Sequence, residues 1–289
     1  MKPTPLFTLS WSEYTLDLGR RTHVMGVINV TPDSFSDGGQ FLEKDRAIEH
    51  GLRLAEEGAD LIDIGGESTR PYSKGISADE EMNRVIPVIE ALKKQISIPI
   101  SIDTLKAQVA REALRAGASM VNDISAFRSD PEMAGVAAQA GVPVILMHMK
   151  GTPSDMQVHP RYDDVASEII TFLKNAMEQA VSSGVQRERI IVDPGIGFGK
   201  TFDHNLEILK ELGRFQRLDA PILVGSSRKA FIGRILDKEA HERDTGTMAT
   251  VAAAVMNGVH IVRVHNVKQA VETVKVIDAI KRGKIEETL

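Results

Sequence analysis

The sequence predicts an α/β fold: a (β/α)8 TIM barrel preceded by an N-terminal β-hairpin, all in a single domain over residues 1–289. Three observations carry this reading. Eight short, β-rich apolar runs recur along the chain, and helical patterns or loops that could hold a helix separate them. The ends of the first and last runs, Asn29 and Arg263, lie 234 residues apart over seven steps, about 33 residues per step and close to one βαβ unit. No linker, low-complexity tract or composition shift divides the chain. An open doubly wound sheet is the rival fold, but it usually has fewer strands and a glycine-rich fingerprint after the first, which is absent here.

The elements follow in order. Residues 7–18, FTLSWSEYTLDL, alternate apolar and polar positions on both sides of a short polar break, as a hairpin does. The hairpin is assigned to residues 1–20 and the barrel to 21–285. The eight strand runs are 23–28, 60–64, 98–102, 119–122, 142–147, 189–193, 221–225 and 260–264. Between the first two, Ile48, Leu52 and Ala55 share one helical face. Pro87 lies inside the next helical stretch and predicts a kink or restart. Gly58, Gly117, Gly141 and Gly184 stand where helices should stop. Val267, Val271, Val274 and Ile277 mark the inner face of the last helix.

Composition excludes several classes. Apolar residues make up 42% and charged residues 26%, an ordinary globular balance that rules out disorder, collagen and coiled-coil arrays. A net charge of −5 argues against gripping nucleic acid by a basic face. The absence of cysteine excludes disulfides, thiolate metal sites and a cysteine nucleophile, and it fits a reducing compartment. No run approaches ~18 uninterrupted apolar residues, so no membrane span is expected. The opening MKPTPLFTLSWSEY has no apolar run of signal-peptide length, and the expected location is cytoplasmic.

In such a barrel, chemistry belongs to the C-terminal strand ends. Asn29, Asp63, Asp103, Asn122, His148, Asp193, Ser226 and Arg263 stand there. A purely structural barrel has no need of so many polar ends, because a buried unpaired carboxylate is costly. Taken singly, Asp63 and Asp103 could instead cap the segments that follow them. Thr69, Arg70, Lys229, Arg263 and His265 read as a cationic, hydroxyl-bearing rim above a carboxylate floor. That mixture suits a ligand with an anionic end and a donor-rich ring.

Three other signals are discounted. Pro194-Gly-Ile-Gly-Phe-Gly-Lys-Thr201 nearly matches a nucleotide phosphate loop, but proline replaces its first glycine. Asn29-Val-Thr31 is a formal glycosylation sequon without a secretion signal. Met147-His148-Met149 reads as a core strand end rather than a soft-metal site, which leaves Met147 free to line a flat apolar slot.

The segments MGVINVTPDSFSDGG (25–39), DIGGESTRP (63–71), SIDT (101–104), NDI (122–124), LMHM (146–149), DPGIGFGK (193–200), SSRK (226–229) and RVH (263–265) closely resemble the bacterial dihydropteroate synthase family, in order and over roughly residues 13–280. The resemblance implies a pterin-binding barrel and a transferase of folate synthesis. The family joins 6-hydroxymethyl-7,8-dihydropterin diphosphate to 4-aminobenzoate, uses Mg2+, usually forms homodimers and is the site of sulfonamide action. Carried over by position, Asp193 anchors the pterin, Asn122 and Asp103 take the remaining ring donors, and Lys229 donates to the ring carbonyl. Asp103 is also placed to stabilise the cation left as diphosphate departs, so Asp103 and Lys229 are the catalytic candidates. Ile124, Met147 and Phe198 wall the flat ring, and Gly225 opens the SSRK segment beside it. Asn29, Thr69, Arg263 and His265 hold the diphosphate, with Asn29 also a Mg2+ ligand. Loops 31–39 and 68–75, the second carrying Arg70, close over the site and help form the aminobenzoate pocket.

The chain departs from the family's usual pattern at three positions. Ala230 follows SRK where serine is common, Asn266 follows RVH where aspartate is common, and Tyr72 replaces a common glycine after Arg-Pro. Two other readings share part of the pattern. A pterin-dependent methyltransferase has the Asp193 and Asn122 floor but no need of the rim or of VTPDSFSDGG. A non-catalytic pterin-binding paralogue fits Ala230 and Asn266, and single-turnover release of diphosphate separates it from an enzyme.

Overall fold

The computed structural model describes residues 4–31, 40–69, 73 and 75–285. Strands β1 (Phe7–Trp11) and β2 (Tyr14–Leu18) form the expected antiparallel hairpin, with Trp11 opposite Tyr14 and Ser12 at φ +46° in the turn. The barrel strands are β3 (His23–Asn29), β4 (Leu61–Gly65), β5 (Ile100–Asp103), β6 (Met120–Asp123), β7 (Val144–Met147), β8 (Ile190–Asp193), β9 (Leu223–Val224) and β10 (Ile261–Val264). All pair in parallel, in the order β8-β7-β6-β5-β4-β3-β10-β9. A parallel bridge between Val192 and Ile222 joins the two ends and closes the barrel.

Helices α1 (Gln40–Glu56), α2 (Ala78–Lys93), α3 (Ala107–Ala116), α4 (Met133–Ala140), α5 (Val165–Ser182), α6 (Phe202–Lys210), α7 (Ala230–Leu236), α8 (Asp244–Met256) and α9 (Val267–Arg282) lie between and after the strands. Gly117 and Gly141 end α3 and α4 in the left-handed region, where a side chain would be strained.

Two details differ from the sequence expectation. The buried face of α1 runs through Ala47, Gly51 and Leu54, one position off the Ile48, Leu52 and Ala55 line. A Cβ on Gly51 would meet Leu92 at 2.7 Å, so the two helices approach closely only because both inner residues before Leu54 are small. Helix α2 also continues through Pro87 without a restart. Val85, Val88, Ile89 and Leu92 are fully buried around the proline, and their packing outweighs the lost backbone bond.

The strand period of two separates the two faces of the sheet. Outward residues such as Val24, Ile62, Ile102, Val144 and Val262 pack beneath the helices. Met25, Leu61, Met120, Ile145, Ile191, Leu223 and Ile261 point inward and form one cluster with Leu9, Trp11, Leu16 and Leu18 of the hairpin. The hairpin therefore plugs the N-terminal end of the barrel. Two residues further along the same strands stand Val27, Asp63, Asn122, Met147, Asp193, Gly225 and Arg263, with Asp103 on β5 beside them. One step of alternation turns an apolar plug into a polar floor at the opposite mouth.

Candidate active site

The floor is a bonded network. Arg263 leaves β10 and donates from Nε to Asp63 Oδ2 at 2.6 Å and from Nη2 to Asp103 Oδ2 at 2.8 Å. Asn122 Nδ2 adds a bond to Asp63 Oδ2 at 3.0 Å. Asp63 is completely buried, and its second oxygen has no partner among the described residues. Burial pushes Asp103 up to about 7 against the pull of Arg263, and the neighbouring charges of Asp63, Glu81 and Asp123 add to the rise.

Asp193 ends β8. Its Oδ1 accepts the Gly195 N–H at 2.7 Å, and burial lifts the carboxyl to about 6 despite that bond and Lys229. The remaining oxygen can accept a donor from a ligand. Burial lowers the Lys229 ammonium to about 8, with Arg263 adding to the fall, and Nζ lies 4.1 Å from the centroid of the Phe198 ring. An apolar wall stands beside it, made of Ile124, Met147, Met149 and Met156 with Leu105 and Phe198 packed against them. The expected wall of Ile124, Met147 and Phe198 is thus one cluster.

Two side-chain networks hold the rim. Lys106 bonds Glu67 and, at 2.5 Å, the fully buried Glu81, while Arg84 donates to the Gly66 carbonyl at 2.8 Å. Together they fasten the stretch that leads from β4 to the half-buried Thr69. On the other side, Ser227 Oγ meets His265 Nδ1 at 2.9 Å. Arg228 binds Asp244 through Nε at 2.8 Å and Nη2 at 3.0 Å. Asn266 donates to the same Asp244 at 2.9 Å while its Oδ1 accepts the Gln269 N–H and caps α9. Asparagine thus adds a donor to a carboxylate that an aspartate there would repel.

The rim is not uniformly charged in this structure. Burial, reinforced by Arg263, holds His265 down at about 3, so its ring is neutral. Arg263 is turned to the carboxylate floor rather than presented alone to an anion. Arg70, Tyr72 and loop 32–39 lie outside the described residues. Asn29 ends β3 half-buried at the mouth, and Gly225 lies against Arg263, where a Cβ would sit 3.8 Å from the arginine's own. Asn29, Thr69, Asp103, Asn122, Asp193, Gly225, Lys229, Arg263 and His265 all fall on strand ends or in the segments that follow them at one mouth of the barrel. Asp63 stands among the polar strand ends expected at this mouth, and its partner is Arg263 rather than a helix cap; Asp244 and Glu81 carry no signal in the sequence pattern.

Among the described residues, no group of three or more His, Asp or Glu side chains could cage a metal. The donor set suits Mg2+ nevertheless. Asn29 offers one neutral oxygen, and Mg2+ commonly binds through one or two protein oxygens plus phosphates and water.

Comparison with known proteins gives a consistent picture. Residues 25–265 match the family model described as pterin binding enzyme. A dihydropteroate synthase of Synechocystis is 49% identical over 267 residues, covering 92% of each chain. The Yersinia pestis dihydropteroate synthase, solved with a sulfonamide drug, superposes with a TM-score of 0.91 at 43% identity over 96% of this chain and 100% of that one. The Xanthomonas albilineans dihydropteroate synthase, solved with 4-aminobenzoic acid, gives 0.87 at 45% identity over 92% of this chain and 95% of that one. Solved with 7,8-dihydropteroate, it gives 0.83 at 43% identity over 90% and 94%.

Proposed function

The chain belongs to the pterin-binding enzyme family, and on that premise we propose how its barrel mouth carries out the dihydropteroate synthase reaction. That reaction condenses 6-hydroxymethyl-7,8-dihydropterin diphosphate with 4-aminobenzoate to give 7,8-dihydropteroate and diphosphate. The observation that carries the assignment of roles is the convergence of Asp103, Asn122, Asp193, Lys229 and Arg263 on one floor beside the Met147–Phe198 wall. Steady-state release of diphosphate with and without 4-aminobenzoate tests it. Release that ignores 4-aminobenzoate, or no turnover at all, overturns it.

The free oxygen of Asp193 accepts from the pyrimidine edge of the pterin, and Asn122 and Asp103 meet the remaining ring donors. Lys229 donates to the ring carbonyl, and Phe198, Met147 and Ile124 cover the ring's face. The substitution is dissociative. Asp103 faces the methylene cation, and a carboxylate there stabilises positive charge as it develops. With a pKa near 7, Asp103 is poised between its two forms at neutral pH. As the C–O bond to diphosphate breaks, the neutral arylamine forms the new C–N bond and then sheds one N–H proton to solvent, so no nucleophile–base pair is needed. Asn29, Thr69, Arg263 and a neutral His265 acting as a donor form the diphosphate subsite.

Asn29 would hold Mg2+ together with the substrate's phosphates, and the ion would offset the charge of the leaving group. Turnover is therefore expected to stop in excess chelator and to return on addition of Mg2+. Full activity in chelator would remove the metal role from Asn29.

Ala230 begins α7 with an exposed side chain that has no donor. The exchange Ala230→Ser is expected to lower the KM for 4-aminobenzoate several-fold at unchanged kcat. It adds one charge-assisted bond worth ~1.5–3 kcal/mol at most, made equally in ground and transition states. Sulfonamide inhibition should tighten in parallel. A KM that stays or rises would turn residue 230 away from the carboxylate.

Among the described residues no helix is long and apolar enough to cross a membrane, and the cytoplasm is the proposed location. A homodimer is proposed as well. Phe202 and Leu206 on α6 and Ile235 and Leu236 on α7 are exposed apolar side chains of the kind such an interface covers.

A further inference from the structure

The segment after β8 folds in an unusual way. Gly195, Gly197 and Gly199 alternate in the left-handed region at φ +71°, +85° and +66°. A Cβ on Gly195 would fall 2.0 Å from the His148 carbonyl oxygen, and one on Gly199 2.4 Å from that of Lys150. Chain bent this way cannot satisfy its carbonyls in a ladder. Three consecutive ones each take a side-chain donor instead. Gln157 Nε2 reaches Gly197 O at 2.8 Å, Lys200 Nζ reaches Phe198 O at 2.9 Å, and Tyr162 Oη reaches Gly199 O at 2.7 Å.

Lys200 is the uncommon member of the three. It is only 2% exposed, whereas lysine is almost never buried unless paired. Its Nζ also bonds His148 Nδ1 at 3.0 Å and His148 O at 3.3 Å. Its nitrogen thus meets three polar partners, and burial drives its pKa well below the usual lysine value. Between Lys200 Nζ and His148 Nδ1 the direction of donation follows the imidazole tautomer and the charge on the lysine. Burial and the adjoining Lys200 hold the His148 ring neutral. The lysine ties the end of β7 to the turn that presents the Phe198 ring, and that ring is the seat of the Lys229 ammonium.

We propose that Lys200 is a positioning residue for the pterin subsite, fixing the backbone at Phe198 and, through the Phe198 ring, the place of Lys229. The proposal rests on the reading of the mouth as a pterin site. It explains why a lysine occupies a position with no access to substrate.

The test is Lys200→Met, which keeps the aliphatic stem and removes every donor. The KM for the pterin diphosphate is expected to rise about tenfold, and the KM for 4-aminobenzoate at saturating pterin to stay within about twofold. Phe198→Ala should show the same split, and the double variant should lose no more than about twofold beyond Phe198→Ala alone, because the two changes act on one unit. Additive losses, an equal rise in both KM values, or a lowered Tm with both KM values unchanged would each overturn the proposal. Titration with 6-hydroxymethylpterin separates the two levels. If the unaltered protein does not bind it, the pterin reading falls. If Lys200→Met binds it as well as the unaltered protein does, only the role of Lys200 falls. Should Lys200→Met not fold, lysine-labelled 15N NMR on the unaltered protein decides. A Lys200 side-chain nitrogen signal that moves on pterin binding supports the proposal, and an indifferent one overturns it.

Discussion

Asp193→Asn is expected to lower affinity for the pterin diphosphate at least tenfold in a calorimetric titration. The carboxylate is buried, and the Gly195 N–H occupies one of its oxygens. In the proposed binding mode its other oxygen meets the pterin edge that carries N3–H and the 2-amino group, both donors. An amide keeps one acceptor and turns an N–H2 group toward those donors, so a charged bond is lost and a repulsion is added. Loss of such a bond costs ~1.5–3 kcal/mol, which is at least tenfold in binding. The same argument sets a pH dependence in the unaltered protein. Burial lifts Asp193 to about 6, so pterin affinity falls as the pH drops through that value and the carboxyl gains its proton. Unchanged affinity in the asparagine variant would remove Asp193 from the ring.

Arg263→Ala is expected to have the second large effect, on stability as well as binding. The guanidinium bonds both Asp63 and Asp103, the first wholly buried and the second nearly so. Removing one side of a buried pair costs ~3–5 kcal/mol, because the remaining charge is left without compensation. Arg263 is the group that holds Asp103 down against burial, so its loss moves that carboxyl above about 7. The folded value already lies above the ordinary one, so the fold favours the protonated form. Stability is lost as pH rises through the folded pKa and recovered on acidification. The deficit in Tm is therefore larger at pH 8 than at pH 6. In binding, the diphosphate substrate loses more than the free hydroxymethyl pterin does. Equal losses for the two ligands, with a deficit that ignores pH, would make Arg263 neither a phosphate group nor the counter-charge of Asp103.

The strands and the polar strand ends were readable because both follow from period two. Each barrel run lies within two residues of its strand, and the apolar plug and polar floor occupy alternate inward positions. What escaped has physical reasons. The buried face of α1 is made by Ala47 and Gly51, whose small side chains give a hydrophobic pattern little to register. The role of Asp63 depends on a guanidinium 200 residues away, and Asn266 finds Asp244 across the gap between two helices. The neutrality of His265 comes from burial beside Arg263, which no local pattern reveals. Lys200 belonged to a near-match for a phosphate loop, and only the three-dimensional turn shows its Nζ facing inward.

The long reach of Arg263 has a consequence for how the molecule comes into being. Asp63 and Asp103 leave the ribosome early, and their counter-charge follows 200 and 160 residues later. Until β10 inserts between β3 and β9, the nascent barrel holds acidic groups that are cheaper to leave in water than to bury. The half-made chain thus has an electrostatic reason to stay open, and closure waits for the last strand. A nascent chain halted before residue 263 should accordingly remain sensitive to protease across β4 and β5, and become resistant only once the final strand has been translated.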